Sequence, residues 1–108
     1  MVEYALNLDS IFGSLADPTR RDILRRVAQT ELSIGDIAKP YNLTLAAISK
    51  HLRVLEAAQL ITKHRRGKQQ FVQASPEALH EANKYLQNYQ KLWDERFNNL
   101  EQLLSSEK

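Results

Sequence analysis

The run Thr44-Leu45-Ala46-Ala47-Ile48-Ser49-Lys50-His51-Leu52-Arg53-Val54-Leu55-Glu56-Ala57-Ala58 decides how this chain is read. Threonine is a favoured helix start, because its hydroxyl accepts from a backbone N–H that the first turn leaves unpaired. Beyond Thr44, the residues Leu45, Ile48, Leu52 and Leu55 recur at i, i+3, i+7 and i+10, which draws one apolar stripe down a helix. At about 100° per residue the opposite side carries Ala46, Lys50 and Arg53, with Ala47 and Ser49 at its flanks. That side is small, hydrogen-bonding and cationic. Val54 suits neither side and is expected to pack against a neighbouring element.

Upstream, Ser33 caps a short helix and Asp36 follows three residues on, close to a capping-box spacing. Ile34, Ile37 and Ala38 supply its buried side, Pro40 ends it, and residues 41–43 form a turn. A helix-turn-helix therefore spans about 33–58. Downstream, Ile61–Arg66 and Gln69–Ala74 are short strands joined at Arg66-Gly67-Lys68, where glycine supplies the permissive backbone of a tight turn. Two such strands are not stable alone, so this hairpin, a wing over about 61–74, must lean on the helices.

Pro76 opens a last helix over about 76–105. Its residues Leu79, Ala82, Leu86, Tyr89, Trp93, Phe97, Leu100 and Leu104 step by three or four, and Tyr85, Leu92 and Leu103 widen the stripe. Ahead of the helix-turn-helix, residues 8–15 form a first helix with Leu8, Ile11, Phe12 and Leu15 on one face. Asp17-Pro18 starts a second. It turns Ile23, Leu24 and Val27 inward and Arg20, Arg21, Arg25 and Arg26 mostly outward. The predicted fold is mainly α with a small β-hairpin wing, in the order α-α-α-α-β-β-α, as one winged helix-turn-helix domain over 1–108.

Composition narrows the function. The 108 residues contain no cysteine, which removes disulfides, thiolate metal sites and thiol redox sensing together. Residues 1–8 lack the basic run and apolar core of a signal peptide, and no stretch reaches the length of a membrane span. The chain reads as cytoplasmic, with no membrane partner. Its net charge of +2 conceals an uneven distribution. Residues 44–75 carry six basic side chains (Lys50, Arg53, Lys63, Arg65, Arg66 and Lys68) against Glu56 alone, whereas the flanks are slightly acidic. A basic segment that coincides with a helix-turn-helix and its wing predicts a double-stranded DNA partner.

Two longer stretches resemble a known family. Leu15-Ala16-Asp17-Pro18-Thr19-Arg20-Arg21-Asp22-Ile23-Leu24 is similar to the opening signature of ArsR-type (ArsR/SmtB) bacterial transcriptional regulators. Ile48-Ser49-Lys50-His51-Leu52-Arg53-Val54-Leu55-Glu56-Ala57-Ala58-Gln59-Leu60-Ile61 resembles the same family's recognition helix and its exit into the wing. The resemblance covers roughly residues 11–97. It implies a homodimer through the first and last helices that binds a palindromic operator, usually as a repressor.

The sequence supports a dimer independently. A helix of about thirty residues is about 45 Å long, and a compact domain of this size has a radius of gyration near 13 Å, so it cannot cover such a helix on both sides. Residues Leu79 to Leu86 are expected to face inward. The expected subunit interface is Leu8, Ile11, Phe12, Tyr85, Tyr89, Trp93, Phe97, Leu100 and Leu104.

Arsenic- and cadmium-sensing members of the family carry a Cys-x-Cys pair where this chain has Ser33 and Gly35, neither of which replaces a soft sulfur ligand. Zinc-sensing members use Asp, His, His and Glu from the final helices. Here Glu77, His80 and Glu81 stand without a second histidine further along, so a weak, exposed site is the most they predict. No cofactor is expected, and no recognisable position names a small-molecule effector. An enzyme is disfavoured, because the serines have capping or surface roles and the three histidines are dispersed along the sequence with no evident acidic partner. The rival reading is a winged helix used for protein contact, with the last helix as its working part. The excess charge over 44–75 argues against it. The expected base-edge contacts are Ser49, Lys50 and Ala46, with Ala47 close by. Thr44, His51 and Arg53 should meet the backbone, while Arg65, Arg66 and Lys68 should place the wing along phosphates or in the adjacent minor groove, with Gln69 and Gln70 as secondary contacts.

Overall fold

Asp17, Ser33 and Thr44 each close the start of a helix, accepting from the backbone N–H of Arg20, Asp36 and Ala47 respectively at 3.0–3.1 Å. The computed structural model describes residues 2–106, with side chains from Leu8 onward. The ends of the 1–108 span, Met1, Glu107 and Lys108, lie outside the described residues. Helices α1 (Val2–Ser14) and α2 (Pro18–Gln29) lead to a short strand β1 (Leu32–Ser33). Next come α3 (Ile34–Ala38), α4 (Leu45–Ala57), β2 (Ile61–Arg66), β3 (Gln69–Ala74) and α5 (Pro76–Ser106).

Strand β1 is a departure from the expected order. It makes the hairpin a three-stranded antiparallel sheet in the order β1-β3-β2, with Leu32 opposite Val72 and Ser33 opposite Phe71. Two residues carry no periodicity of their own, so this strand exists only through its pairing with β3. The hairpin itself has the expected limits. Its register runs from Ile61↔Ala74 to Arg66↔Gln69, closed by Gly67 and Lys68 with Gly67 at φ 63°.

Ile23, Ile37, Ile48, Leu52, Leu55, Leu60 and Val72 are fully buried together at the centre. Each such side chain contributes about 1.5–3 kcal/mol relative to exposure. The chain reaches this centre from α4 by a left-handed turn at Gln59, φ 61°. There the Gln59 N–H donates to the Glu56 carbonyl at 2.9 Å and the Leu60 N–H to that of Leu55 at 3.0 Å. These are the two bonds of a Schellman motif, with buried Leu55 and Leu60 as its apolar contact. The turn fixes where the hairpin leaves α4.

Arg20, Arg21 and Arg26 of α2 act as staples to its neighbours. Arg20 donates to the carbonyls of Ser14 and Gly13, and Arg21 to that of Leu15, so the last carbonyls of α1 are satisfied from α2. Arg26 does the same at the end of α3, donating to Asp36 and Ile37 carbonyls with its guanidinium over the Tyr41 ring. Arg20 and Arg26 are therefore half-buried rather than outward.

Three other expectations are corrected. Ile11 is 2% exposed and belongs to the subunit's own core, because α1 lies against both α4 and α5. Leu45 is 64% exposed, since the first turn of α4 stands clear of the core that Ile48 enters. Leu79 and Leu86 are exposed, and α5 is anchored instead by Ala78 and Ala82, whose small side chains let the helix sit close. From Asn83 to Ser106 every residue of α5 is exposed. The helix extends away from the body, giving a radius of gyration of 19.0 Å, against about 13 Å for a compact chain of about 100 residues.

Candidate nucleic-acid interface

Helix α4 holds its buried stripe, Ile48, Leu52 and Leu55, in the core and so fixes what its other side presents. Ala46, Lys50 and Arg53 are exposed there, with Ala47 and Ser49 half-buried beside them. Thr44 is exposed at the helix start with its hydroxyl engaged in the cap. Among the described residues neither Lys50 nor Arg53 has an acidic partner within 4.0 Å. Val54 is half-buried.

His51 departs from the set. Its Nδ1 lies 3.4 Å from a guanidinium nitrogen of Arg20 and 3.9 Å from Asp17 Oδ2, and its side chain is 20% exposed. The ring is turned toward the start of α2. The Arg20 backbone N–H, supported by the charges of His51 and Arg20, holds the Asp17 carboxyl below its ordinary pKa. The same local logic lowers Asp22, through the Tyr41 hydroxyl first and then Arg25.

On the wing, Arg65, Lys68, Gln69 and Gln70 are exposed. Arg65 and Lys68 have no acidic partner among the described residues. Arg66 is also exposed but engaged: it donates to Glu31 and stacks 4.0 Å over the Phe71 ring. Lys63 is turned back to Glu56 at 3.4 Å. Glu31 and Phe71 were not foreseen. Glu31 lies 35 positions from Arg66, and no local pattern could have joined them.

The expected interface residues fall in two groups. Phe12, Tyr85, Tyr89, Trp93, Phe97, Leu100 and Leu104 are exposed, whereas Leu8 packs partly on the core and Ile11 is inside it. Along α5 the aromatics pair at i, i+4: Tyr85 and Tyr89 meet edge-on at 5.3 Å, and Trp93 and Phe97 stack at 5.8 Å. The Tyr89 hydroxyl beside Tyr85 raises the Tyr85 pKa.

At the position of a thiolate pair, Ser33 Oγ accepts from the Asp36 N–H and Gly35 has no side chain, so neither offers a soft donor. At the start of α5, Glu77 accepts from Ser75 Oγ at 2.7 Å and Glu81 lies 3.8 Å from Lys84 Nζ. Among the described residues no three His, Asp or Glu side chains converge as a metal-holding group, and no helix is long and apolar enough to cross a membrane.

Comparison with known proteins agrees with this geometry. A family described as "Helix-turn-helix domain" matches residues 15–64. The chain is 30% identical over 82 residues to the transcriptional repressor SdpR of Bacillus subtilis, covering 76% of this chain and 91% of SdpR. It is 31% identical over 99 residues to the HTH-type transcriptional regulator Rv2034 of Mycobacterium tuberculosis, covering 92% of this chain and 90% of that protein. The crystal structure of the ArsR family transcriptional regulator RHA00566 matches with a TM-score of 0.79 at 31% identity, over 83% of this chain and 93% of that one. An α4 whose Lys50 and Arg53 meet no acidic partner among the described residues, a basic wing and these relatives define a helix-turn-helix DNA-binding transcriptional regulator. Within that class, the chain belongs to the ArsR family of winged helix-turn-helix regulators.

Proposed function

We propose that the chain acts in the cytoplasm as a homodimeric repressor of a palindromic operator, with one α4 entering each of two successive major grooves. The observation that carries the reading is the outer side of α4. Small residues allow close approach, and two cations with no acidic partner among the described residues stand among them. Ser49, Lys50 and Ala46 meet base edges, with Ala47 near them, and Thr44 and Arg53 meet the backbone. Exposed Leu45, at the start of the same helix, suits a thymine methyl group. Arg65 and Lys68 hold phosphates, with Gln69 beside them. His51 is better placed to support α2 than to reach DNA.

The exposed stripe of α5 supports the dimer. Trp93 and Phe97 are each 57% exposed within a run of large apolar side chains. A soluble chain rarely leaves so much contiguous apolar surface in water, and a second copy laid along α5 and Phe12 removes it. SdpR is named a repressor, and the proposed sign of regulation follows that relative. The donor sets at Ser33, Gly35 and His80 support a regulator that does not respond to metal through the family's thiolate or histidine positions.

A salt series of duplex binding tests the reading. The logarithm of the affinity should fall linearly with log salt, at a slope of about 0.9 per phosphate contacted. A flat response, or no binding to any duplex at low salt, would put the protein-contact alternative ahead.

A further inference from the structure

The wing's cations are not equivalent, and a residue outside the hairpin makes the difference. Glu31 immediately precedes β1, whose pairing brings it alongside the hairpin: Ser33, Phe71 and His64 are register partners across the three strands. One Glu31 oxygen accepts from Arg66, and the other lies 2.8 Å from His64 Nε2. The Glu31 side chain is only 26% exposed, so it is built into this arrangement. The Arg66 guanidinium lies over the Phe71 ring, and the His64 ring stacks on the same residue at 6.1 Å. Arg66 is thus fixed between an aromatic face and a carboxylate of the protein's own body.

We propose that Glu31 limits the strength of DNA binding by withholding Arg66 from phosphate. This rests on the DNA reading above. A phosphate that takes Arg66 exchanges one charge-assisted contact for another and leaves Glu31 without its main partner, so the net gain is small. The Glu31 charge also opposes the approach of a polyanion to the wing. Phosphate contacts carry no sequence information, so withholding one lowers binding to all duplexes and leaves base reading by α4 unchanged. The wing then meets DNA through Arg65 and Lys68.

The test compares the wild type, Glu31→Gln, Arg66→Ala and the double variant for binding to a short duplex of arbitrary sequence, each across a salt series. Glu31→Gln keeps the side chain's shape and removes its charge. It should bind about twofold to fivefold more tightly per subunit, with a log–log slope steeper by about 0.9. Arg66→Ala should change wild-type binding little and should remove the whole gain in the Glu31→Gln background. Unchanged or weaker binding by Glu31→Gln, with no steeper slope, would overturn the proposal. So would an equal loss from Arg66→Ala in both backgrounds. Should Glu31→Gln fold poorly, Arg66→Ala alone decides: a loss as large as that of Arg65→Ala overturns the proposal, and a clearly smaller one upholds it. Failure of the DNA reading itself looks different, because the wild type would then show no salt-dependent duplex binding.

Discussion

Helix α4 and the wing carry the same kind of charge and hold it differently. On α4, Lys50 and Arg53 project from a helix whose opposite stripe is locked in the core, and no described carboxylate meets them. On the wing, Lys63 turns back to Glu56 and Arg66 is held by Glu31, while Arg65 and Lys68 have no acidic partner among the described residues. Of the six basic residues counted over 44–75, four therefore have no acidic partner among the described residues. A charge run measures composition, and pairing geometry decides how much of it a phosphate can use.

The largest expected effect breaks the comparison at α4. Lys50→Ala combined with Arg53→Ala should lower duplex affinity by about 3 kcal/mol or more, measured by fluorescence anisotropy, because both base and backbone contacts go. The pair Arg65→Ala and Lys68→Ala should cost less and should act alike on all sequences. A larger loss from the wing pair would invert the account. The next effect concerns the number of α4 helices presented. Trp93→Ala should weaken the dimer by about 2 kcal/mol per subunit, read by sedimentation, with DNA binding falling as a consequence. A monomeric wild type, or a variant dimer of unchanged affinity, would remove α5 from the interface.

The smallest effect isolates the wing's shape. A Cβ at Gly67 meets nothing within 4 Å, so Gly67→Ala costs only the strain of φ 63°. Stability should fall by about 1 kcal/mol in thermal unfolding, with DNA affinity reduced less than by loss of the α4 cations. An unchanged unfolding temperature would mean that the turn is not what orders the hairpin.

Features set by local chemistry could be read from the sequence. The caps at Asp17, Ser33 and Thr44, the turn at Gly67 and the limits of β2 and β3 all follow from residues within a few positions of one another. What escaped depended on distant partners. Strand β1 is defined by β3, some 40 positions later, and Glu31 finds Arg66 only because that pairing forms. Periodicity identified the apolar faces of α1 and α5 but not what covers them. Ile11 went into the subunit's own core, while Leu79 and Leu86 stayed outside, where Ala78 and Ala82 made the close contact. Leu45 continues a buried stripe in sequence and leaves the body in space. Lys50 and Arg53 stand where the helical wheel put them, whereas His51, expected at the DNA backbone, turns toward α2.

Enrichment of a randomised duplex pool tests most directly whether paired α4 helices read DNA. The wild type should select an inverted repeat whose half-site centres lie about 10 base pairs apart. Lys50→Ala should select a repeat of the same spacing with a changed base in each half. A selected site without symmetry, or one left identical by Lys50→Ala, would contradict the account.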